Sequence, residues 1–354
     1  MDVLCIGSAV MDITARPIGQ ENHWEEKQRI SSIQIQTGGD AANQSIRLAD
    51  LGLDAALSAC VGQDPNGNIL CSSLRARGVR TEYIVSKKEY ATGTALVLVD
   101  EEGERHTFSV QGAHSTIDKA DLPWDALNSC RAISLASLFS MPQLEKDGLL
   151  AFLQEAKKKG ILIFADLAAD KLKQGLPGIA SFLPYIDYFL PSLYDALAMT
   201  GASNVQEAAK RYLNCGAKCV VIKCGSEGCY FALGKSVDEG FSGGKHVTEE
   251  PAAGEFASRG FASRGFAAGG FASREPVSEE LCGMVPAVKV DPVDTTGAGD
   301  CMSALFISRI LRGESVREAC RFACAGASYS TLFLGASAEK LTERRILEWA
   351  RVEE

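Results

Sequence analysis

The sequence predicts an α/β protein, a mostly parallel sheet covered by helices on both faces. From about residue 130 onward, short apolar runs alternate with longer helical ones, the pattern of strands joined by helical crossovers. Val3-Leu4-Cys5-Ile6 is an apolar run closed by Gly7 and reads as a buried strand. Late in the chain, Asp294-Thr295-Thr296-Gly297-Ala298-Gly299-Asp300 precedes an apolar, small-residue run, Cys301, Met302, Ala304, Leu305, Phe306 and Ile307, that reads as a buried helix.

Element by element, residues 29–36 alternate Ile33 and Ile35 with Gln34 and Gln36, as a half-exposed strand does. Residues 42–52 carry Ile46, Leu48, Ala49 and Leu51 at helical spacing. Residues 92–110 read as a hairpin, with strands at 95–99 and 107–110 around Glu101-Glu102-Gly103-Glu104. These early β segments suit a small antiparallel sheet outside the main one. Strands are expected at 132–136, 161–166, 186–190, 219–223 and 229–233. Helices are expected at 143–159, 193–200, 205–215, 301–312, 315–333 and 342–351. Residues 240–284 break the pattern. Phe256, Phe261, Phe266 and Phe271 recur every five residues in Phe-Ala-Ser-Arg-Gly-like units, a period that suits neither helix nor strand, so an irregular or disordered insertion is expected.

Composition narrows the function. In 354 residues, 46% are hydrophobic and 23% charged, enough for a substantial core. The net charge of −9 and the lack of a long basic run argue against nucleic acid or an anionic membrane as partner. The N-terminus lacks the basic flank and apolar stretch of a signal peptide, and no 18-residue apolar segment occurs, so a soluble cytoplasmic protein is expected. Among twelve cysteines, Cys215, Cys219, Cys224 and Cys229 are the densest group, but their spacing is not that of a zinc ribbon. Core thiols are expected. The four histidines are scattered and predict no metal site.

The heptad carries the chemistry. Glycines at a helix N-terminus bring unpaired amides and the positive end of the helix dipole close to an anion, most often phosphate. Asp300 sits where that dipole would keep it ionised, as a base that activates a hydroxyl for phosphoryl transfer. Three smaller motifs accompany it. Asp12 follows the first strand, where ligand groups of α/β proteins gather. Gly38-Gly39-Asp40-Ala41-Ala42-Asn43 opens the early helix, and Asn43 can both donate and accept hydrogen bonds. Lys223-Cys224-Gly225-Ser226-Glu227-Gly228 follows an apolar strand and is either part of a nucleotide shelf or a turn. Gly7 is not followed by G-x-G-x-x-G, which speaks against a dinucleotide-binding dehydrogenase.

Together, the Gly38-Gly39-x-x-x-Asn43 motif and the Asp294-to-Asp300 heptad resemble the ribokinase-like (PfkB-type) carbohydrate kinases in order and separation, and the likeness runs from residue 3 to about 338 apart from 240–284. The resemblance implies one kinase domain over residues 1–354, a three-layer α/β/α sandwich with a small β-sheet lid from about 13–37 and 91–113. That lid often dimerises in the family, so a homodimer is expected. Asp300 matches the catalytic base, and Gly297, Ala298 and Gly299 match the anion hole. Asp12, Gly38, Gly39 and Asn43 match sugar-binding positions, and Lys223, Gly225 and Gly228 match the nucleotide turn. Backbone carbonyls of Asp294 and Thr296 match a monovalent-cation site, for which potassium is the candidate. Ser192-Leu193-Tyr194-Asp195 stands where the family often has Asn-x-x-Glu, a motif that organises magnesium and phosphates; Asp195 keeps the charge with a shorter reach, acting on the metal through water. Cys324 stands where many relatives have asparagine near the adenine. The expected activity is ATP- and magnesium-dependent phosphorylation of a sugar hydroxyl of the pentose or ketohexose class. A nucleoside kinase and a non-catalytic sugar-binding regulator are the alternatives.

Overall fold

Along the first strand, β1 (Val3–Ile6), every side chain is buried, and successive residues serve opposite cores. Val3 and Cys5 belong to one apolar cluster, Leu4 and Ile6 to the other, as the two-residue period of a strand covered on both faces requires. The computed structural model describes residues 1–19, 29–102, 105–234, 281–337 and 339–353.

After β1 come β2 (Val10–Ile18), β3 (Ser32–Gly38), α1 (Asp40–Asp50), β4 (Ala55–Gly62), α2 (Pro65–Ala76), β5 (Ile84–Lys87), β6 (Thr94–Asp100), β7 (Arg105–Val110) and β8 (Ala132–Leu138). Next are α3 (Pro142–Lys146), α4 (Leu149–Lys158), β9 (Leu162–Leu167), α5 (Gly175–Ile179), β10 (Tyr188–Phe189), α6 (Leu193–Thr200) and α7 (Val205–Asn214). The chain closes with β11 (Cys219–Lys223), β12 (Cys229–Leu233), β13 (Cys282–Val285), α8 (Ala298–Ile310), α9 (Val316–Ser330) and α10 (Glu343–Glu353). The main sheet runs β13-β12-β11-β10-β9-β8-β1-β4-β5. It is parallel from β11 to β5, and β12 and β13 add an antiparallel edge. Helices α1, α2, α8, α9 and α10 supply one core, and α3 to α7 the other. This is the α/β/α sandwich with a separate small sheet.

That second sheet has the order β3-β2-β6-β7. It is mixed rather than antiparallel, because β2 and β6 run parallel. On its outer face Ile35, Ile13, Leu96 and Phe108 stand in register across the four strands. Ile33, Ile35, Phe108 and Val110 on that face are each about 60% exposed or more. Gln36 instead turns inward, toward Gly335.

Several expectations are corrected. The helix expected at 143–159 is two helices, split at Asp147 and Gly148, where Gly148 has φ of 115°. The strand expected at 186–190 shortens to Tyr188–Phe189, and the helix expected at 301–312 starts at Ala298 and ends at Ile310. Asp12 does follow the first strand, but within a second strand, β2. The insertion expected over 240–284 is too long at its end, since Cys282–Val285 pairs with β12. Its four phenylalanines lie outside the described residues. Strands β2, β4, β5 and β13 and helices α2 and α5 had no counterpart among the expected elements. Strand β4, Ala-Ala-Leu-Ser-Ala-Cys-Val-Gly, is built mostly of small residues with weak strand preference. Helix α2 opens on Pro65-Asn66-Gly67-Asn68, which reads as a turn until the Asp64 carboxylate caps it through the Gly67 amide.

At the C-terminal end of α1, a buried charge cluster fixes the segment that follows α9. Asp50 pairs with Arg47 and Arg77 and accepts from the Leu341 amide. The two arginines donate onward to the carbonyls of Ala336, Ser337 and Glu339. Asp50→Ala would strand two guanidinium groups against a buried surface. Removing one partner of a buried pair costs about 3–5 kcal/mol. Urea unfolding of this variant is expected to show a loss of that size.

Candidate active site

The site forms where parallel strands β1, β8, β9 and β11 end, the edge of an α/β sheet at which ligands gather. Two helices begin there. Gly39 caps α1 with φ of 92°, and Gly297 caps α8 with φ of 70°, both left-handed conformations that disfavour a side chain. Each also lies where a Cβ would collide, Gly39 with the Ser8 carbonyl and Gly297 with Ala336. Glycine is therefore required twice over at both turns.

These starts bring the motif residues together. Asn43, in the first turn of α1, donates from Nδ2 to Asp300 Oδ2 in the first turn of α8 at 2.9 Å. Asn43 is buried, and its Oδ1 has no partner. Asp12 packs against Gly38 so closely that a Cβ there would lie 2.0 Å from Asp12 Oδ2. Asp40 accepts from Ser137 Oγ at 3.2 Å, and its amide donates to Ser8 Oγ. In α8, the Ala298 amide already donates to the Thr295 carbonyl, whereas those of Gly299 and Asp300 fall in the first turn, beyond reach of any preceding helical carbonyl.

Two polar side chains of this cleft escaped the sequence reading. Asp166 ends β9, and its Oδ2 pairs with the Lys223 ammonium and accepts from Ser303 Oγ at 2.9 Å. A carboxylate closing an apolar parallel strand was the available signal. Ser303 was hidden within an apolar helix. Asp40 was read only as part of its motif.

Electrostatics here reverse one expectation. The helix start was expected to keep Asp300 ionised. Burial instead raises its carboxyl well above the usual range, helped by Asp40 and Asp166 and opposed by Asn43 and Lys223. A helix end contributes about 0.3–1 kcal/mol, while two like charges 4 Å apart repel by about 4 kcal/mol at an effective dielectric near 20. Burial likewise raises Asp12 to about 6. It also raises Asp40 to about 6, together with Asp166 and Asp12 and against Ser137 and Lys223.

The remaining expected residues fall in three places. Ser192 caps α6, accepting from the Asp195 amide and donating to Asp195 Oδ2 at 2.5 Å. The backbones of Ser192 and Lys223 are bridged, which puts this cap beside the end of β11. Gly225 and Gly228 form the turn into β12 with φ of 61° and 96°, and Gly228 abuts the Val285 carbonyl. Cys324 is 3% exposed on α9, with its thiol 3.6 Å from that of Cys229, so it belongs to the core wall. All twelve cysteines are free; eight are buried in the core as expected, Cys71, Cys215 and Cys224 are only part-buried, and Cys282 is exposed. Asp294 accepts from the amides of Thr296 and Gly335, drawing the two loops that precede α8 and follow α9 together. Among the described residues no group of three or more His, Cys, Asp or Glu is arranged to hold a metal, and no helix is long and apolar enough to cross a membrane.

An α/β/α sandwich with a β-sheet flap, glycine-capped helix starts and a buried acid between them defines the class of sugar and nucleoside kinases. Residues 1–243 and 271–343 match the pfkB family carbohydrate kinase model, and the chain belongs to that family. It is a phosphotransferase acting on a sugar or a nucleoside. It is 25% identical to a ribokinase of Schizosaccharomyces pombe over 340 residues, 91% of this chain and 89% of the relative. Its fold is similar to a crystal structure of a putative ribokinase II from E. coli in complex with ATP and Mg2+, with a TM-score of 0.75, 20% identity and 99% of both chains covered. It is also similar to adenosine kinase from Sinorhizobium meliloti, with a TM-score of 0.72, 20% identity, and 100% of this chain and 99% of that one covered.

Raised carboxyl groups make the cleft a source of instability in the free protein. A carboxyl whose folded-state value is raised favours folding at acid pH, and that contribution is lost as pH rises through the folded value. For Asp40 the window runs from the ordinary carboxylate range to about 6. Asp40→Asn is expected to melt higher than wild type at pH 7–8, with the gain shrinking as pH falls through 6 toward 4. Thermal scans across that range check it.

Proposed function

We propose that the protein transfers the γ-phosphoryl group of ATP to a hydroxyl of a pentose or ketohexose, with Asp300 as general base. The observation that carries this reading is the pairing of Asp300 with Asn43 across two glycine-capped helix starts. A base with a raised proton affinity suits its task, because the best catalytic pKa lies near the operating pH. Asp12 and the unpartnered Oδ1 of Asn43 are acceptors for sugar hydroxyls, and Gly38 and Gly39 let the backbone approach. Asp300 takes the proton of the attacking hydroxyl. The amides of Gly299 and Asp300 face the charge that grows on the phosphoryl oxygens, where donors held in place contribute most; of the expected anion-hole positions, Gly297 to Gly299, this reading keeps the Gly299 amide, adds that of Asp300 and sets aside that of Ala298, already bonded to the Thr295 carbonyl.

The nucleotide lies along the β11–β12 turn at Gly225 and Gly228, with Ser192 and Asp195 beside its phosphates. Magnesium is bound by few carboxylates and keeps several waters; Asp195 fits such a role, and the ion would offset phosphate charge. Asp294 and Thr296 would offer carbonyls to potassium, a reading that the ordering of their loop by the Asp294 to Gly335 link supports. The exposed apolar face of the small sheet supports a homodimer through that sheet.

Asp300→Asn is expected to lower turnover by about a thousandfold while acceptor binding survives, as read by a coupled ADP-release assay over pentoses, ketohexoses and nucleosides. Near-normal turnover would remove Asp300 as the base. Ile35→Glu is expected to shift the protein from dimer to monomer in sedimentation, and an unchanged mass would sink the dimer.

A further inference from the structure

The geometry points to Lys223 as the cation that meets the transferring phosphoryl group, with Asp166 and Ser303 as the positioning residues that hold it there. This rests on the kinase reading above and moves Lys223 from the nucleotide turn to the reaction centre. Its backbone ends β11, but its ammonium leaves the turn. It pairs with Asp166 at the end of β9 and lies 3.4 Å from Ser303 Oγ on α8. A Cβ placed on Gly299 would lie 3.5 Å from the Lys223 Nζ. The ammonium therefore stands over the second residue of α8, beside the amides of Gly299 and Asp300.

Two physical arguments give that position a purpose. A helix N-terminus is the positive end of the dipole, so a cation is electrostatically misplaced there unless an anion joins it. Asp166 offsets part of the misfit, and a phosphoryl group would offset the rest. The pair is also largely buried, with side-chain exposures of 12% and 7%. Buried ion pairs add little stability over apolar packing of the same shape. Three separate elements, β9, β11 and α8, converge to hold this one, and Ser303 anchors the shared Asp166 oxygen from one turn beyond Asp300. Lys223 is also the ammonium whose field lowers both Asp40 and Asp300. It thus serves the base as well as the phosphoryl group.

The test compares wild type with Lys223→Met, Lys223→Arg, Asp166→Asn and Ser303→Ala, using the best acceptor from the sugar screen with Mg-ATP. Each variant is checked for folding by thermal unfolding. Lys223→Met is expected to lower kcat by about a hundredfold or more, with acceptor KM within about threefold of wild type. Lys223→Arg should recover part of the loss. A residue that merely braced the fold would not move the pH profile. The groups facing Asp300 are Asp40, Asn43, Asp166 and Lys223. Removing the positive one should shift the acid limb of kcat/KM upward in pH. A folded Lys223→Met variant with kcat within about threefold of wild type, or with its loss confined to acceptor KM, overturns the inference and leaves the kinase reading intact. Should Lys223→Met fail to fold, unchanged kcat in both Asp166→Asn and Ser303→Ala overturns it, and a selective fall in kcat supports it. A wild-type protein that transfers nothing overturns the sugar-kinase reading, and this inference with it.

Discussion

Packing α1 and α8 with their first turns side by side forces Asp40 and Asp300 toward each other, and the ends of β2 and β9 add Asp12 and Asp166. One ammonium, that of Lys223, is shared among Asp40, Asp166 and Asp300. Much of the surrounding structure makes this tolerable. Ser137 donates to Asp40, Asn43 donates to Asp300, and Ser303 donates to Asp166. The residual strain appears as raised proton affinity rather than distorted backbone. Proton affinity of that kind is what the proposed role of Asp300 as a base calls for.

A second layer of organisation fixes the glycine turn before α8. Gly297 is pressed against Ala336, and Asp294 reaches across to the Gly335 amide. The segment carrying those residues is itself held by Arg47 and Arg77, which Asp50 orients. Gly335 also abuts Gln36 of the small sheet. The turn before α8 is thus supported by a surface made from α1, the small sheet and the segment after α9.

The architecture was legible because periodicity and burial agree: β1, β8, β9, β11 and β12 are apolar runs bounded by turn residues. Misreadings arose where local chemistry and tertiary context diverge. Small residues concealed β4, Gly148 split an otherwise continuous helical pattern, and a capped start disguised α2. The site was legible where glycine is compulsory, at Gly39 and Gly297, and where a polar side chain follows such a turn, at Asn43 and Asp300. It was less so where one residue in an apolar run turns into the cleft, as Asp166 and Ser303 do. The charge state of Asp300 could not be read locally, because it depends on carboxylates more than 130 residues away in sequence.

Helix α1 joins the two layers within a single rigid rod. Asp40 and Asn43 stand at its first turn in the cleft, while Arg47 and Asp50 stand at its last, gripping the segment that supports Gly297. Each helical residue advances the side-chain direction by about 100°. Inserting one residue between Asn43 and Arg47 would therefore preserve every side chain and lose one of the two contacts. The length of α1 is as much a part of the site as its composition. Transplanting the Gly38-to-Asn43 motif between proteins of this fold thus means moving residues 38–50 as one unit, together with the partners of Arg47 and Asp50.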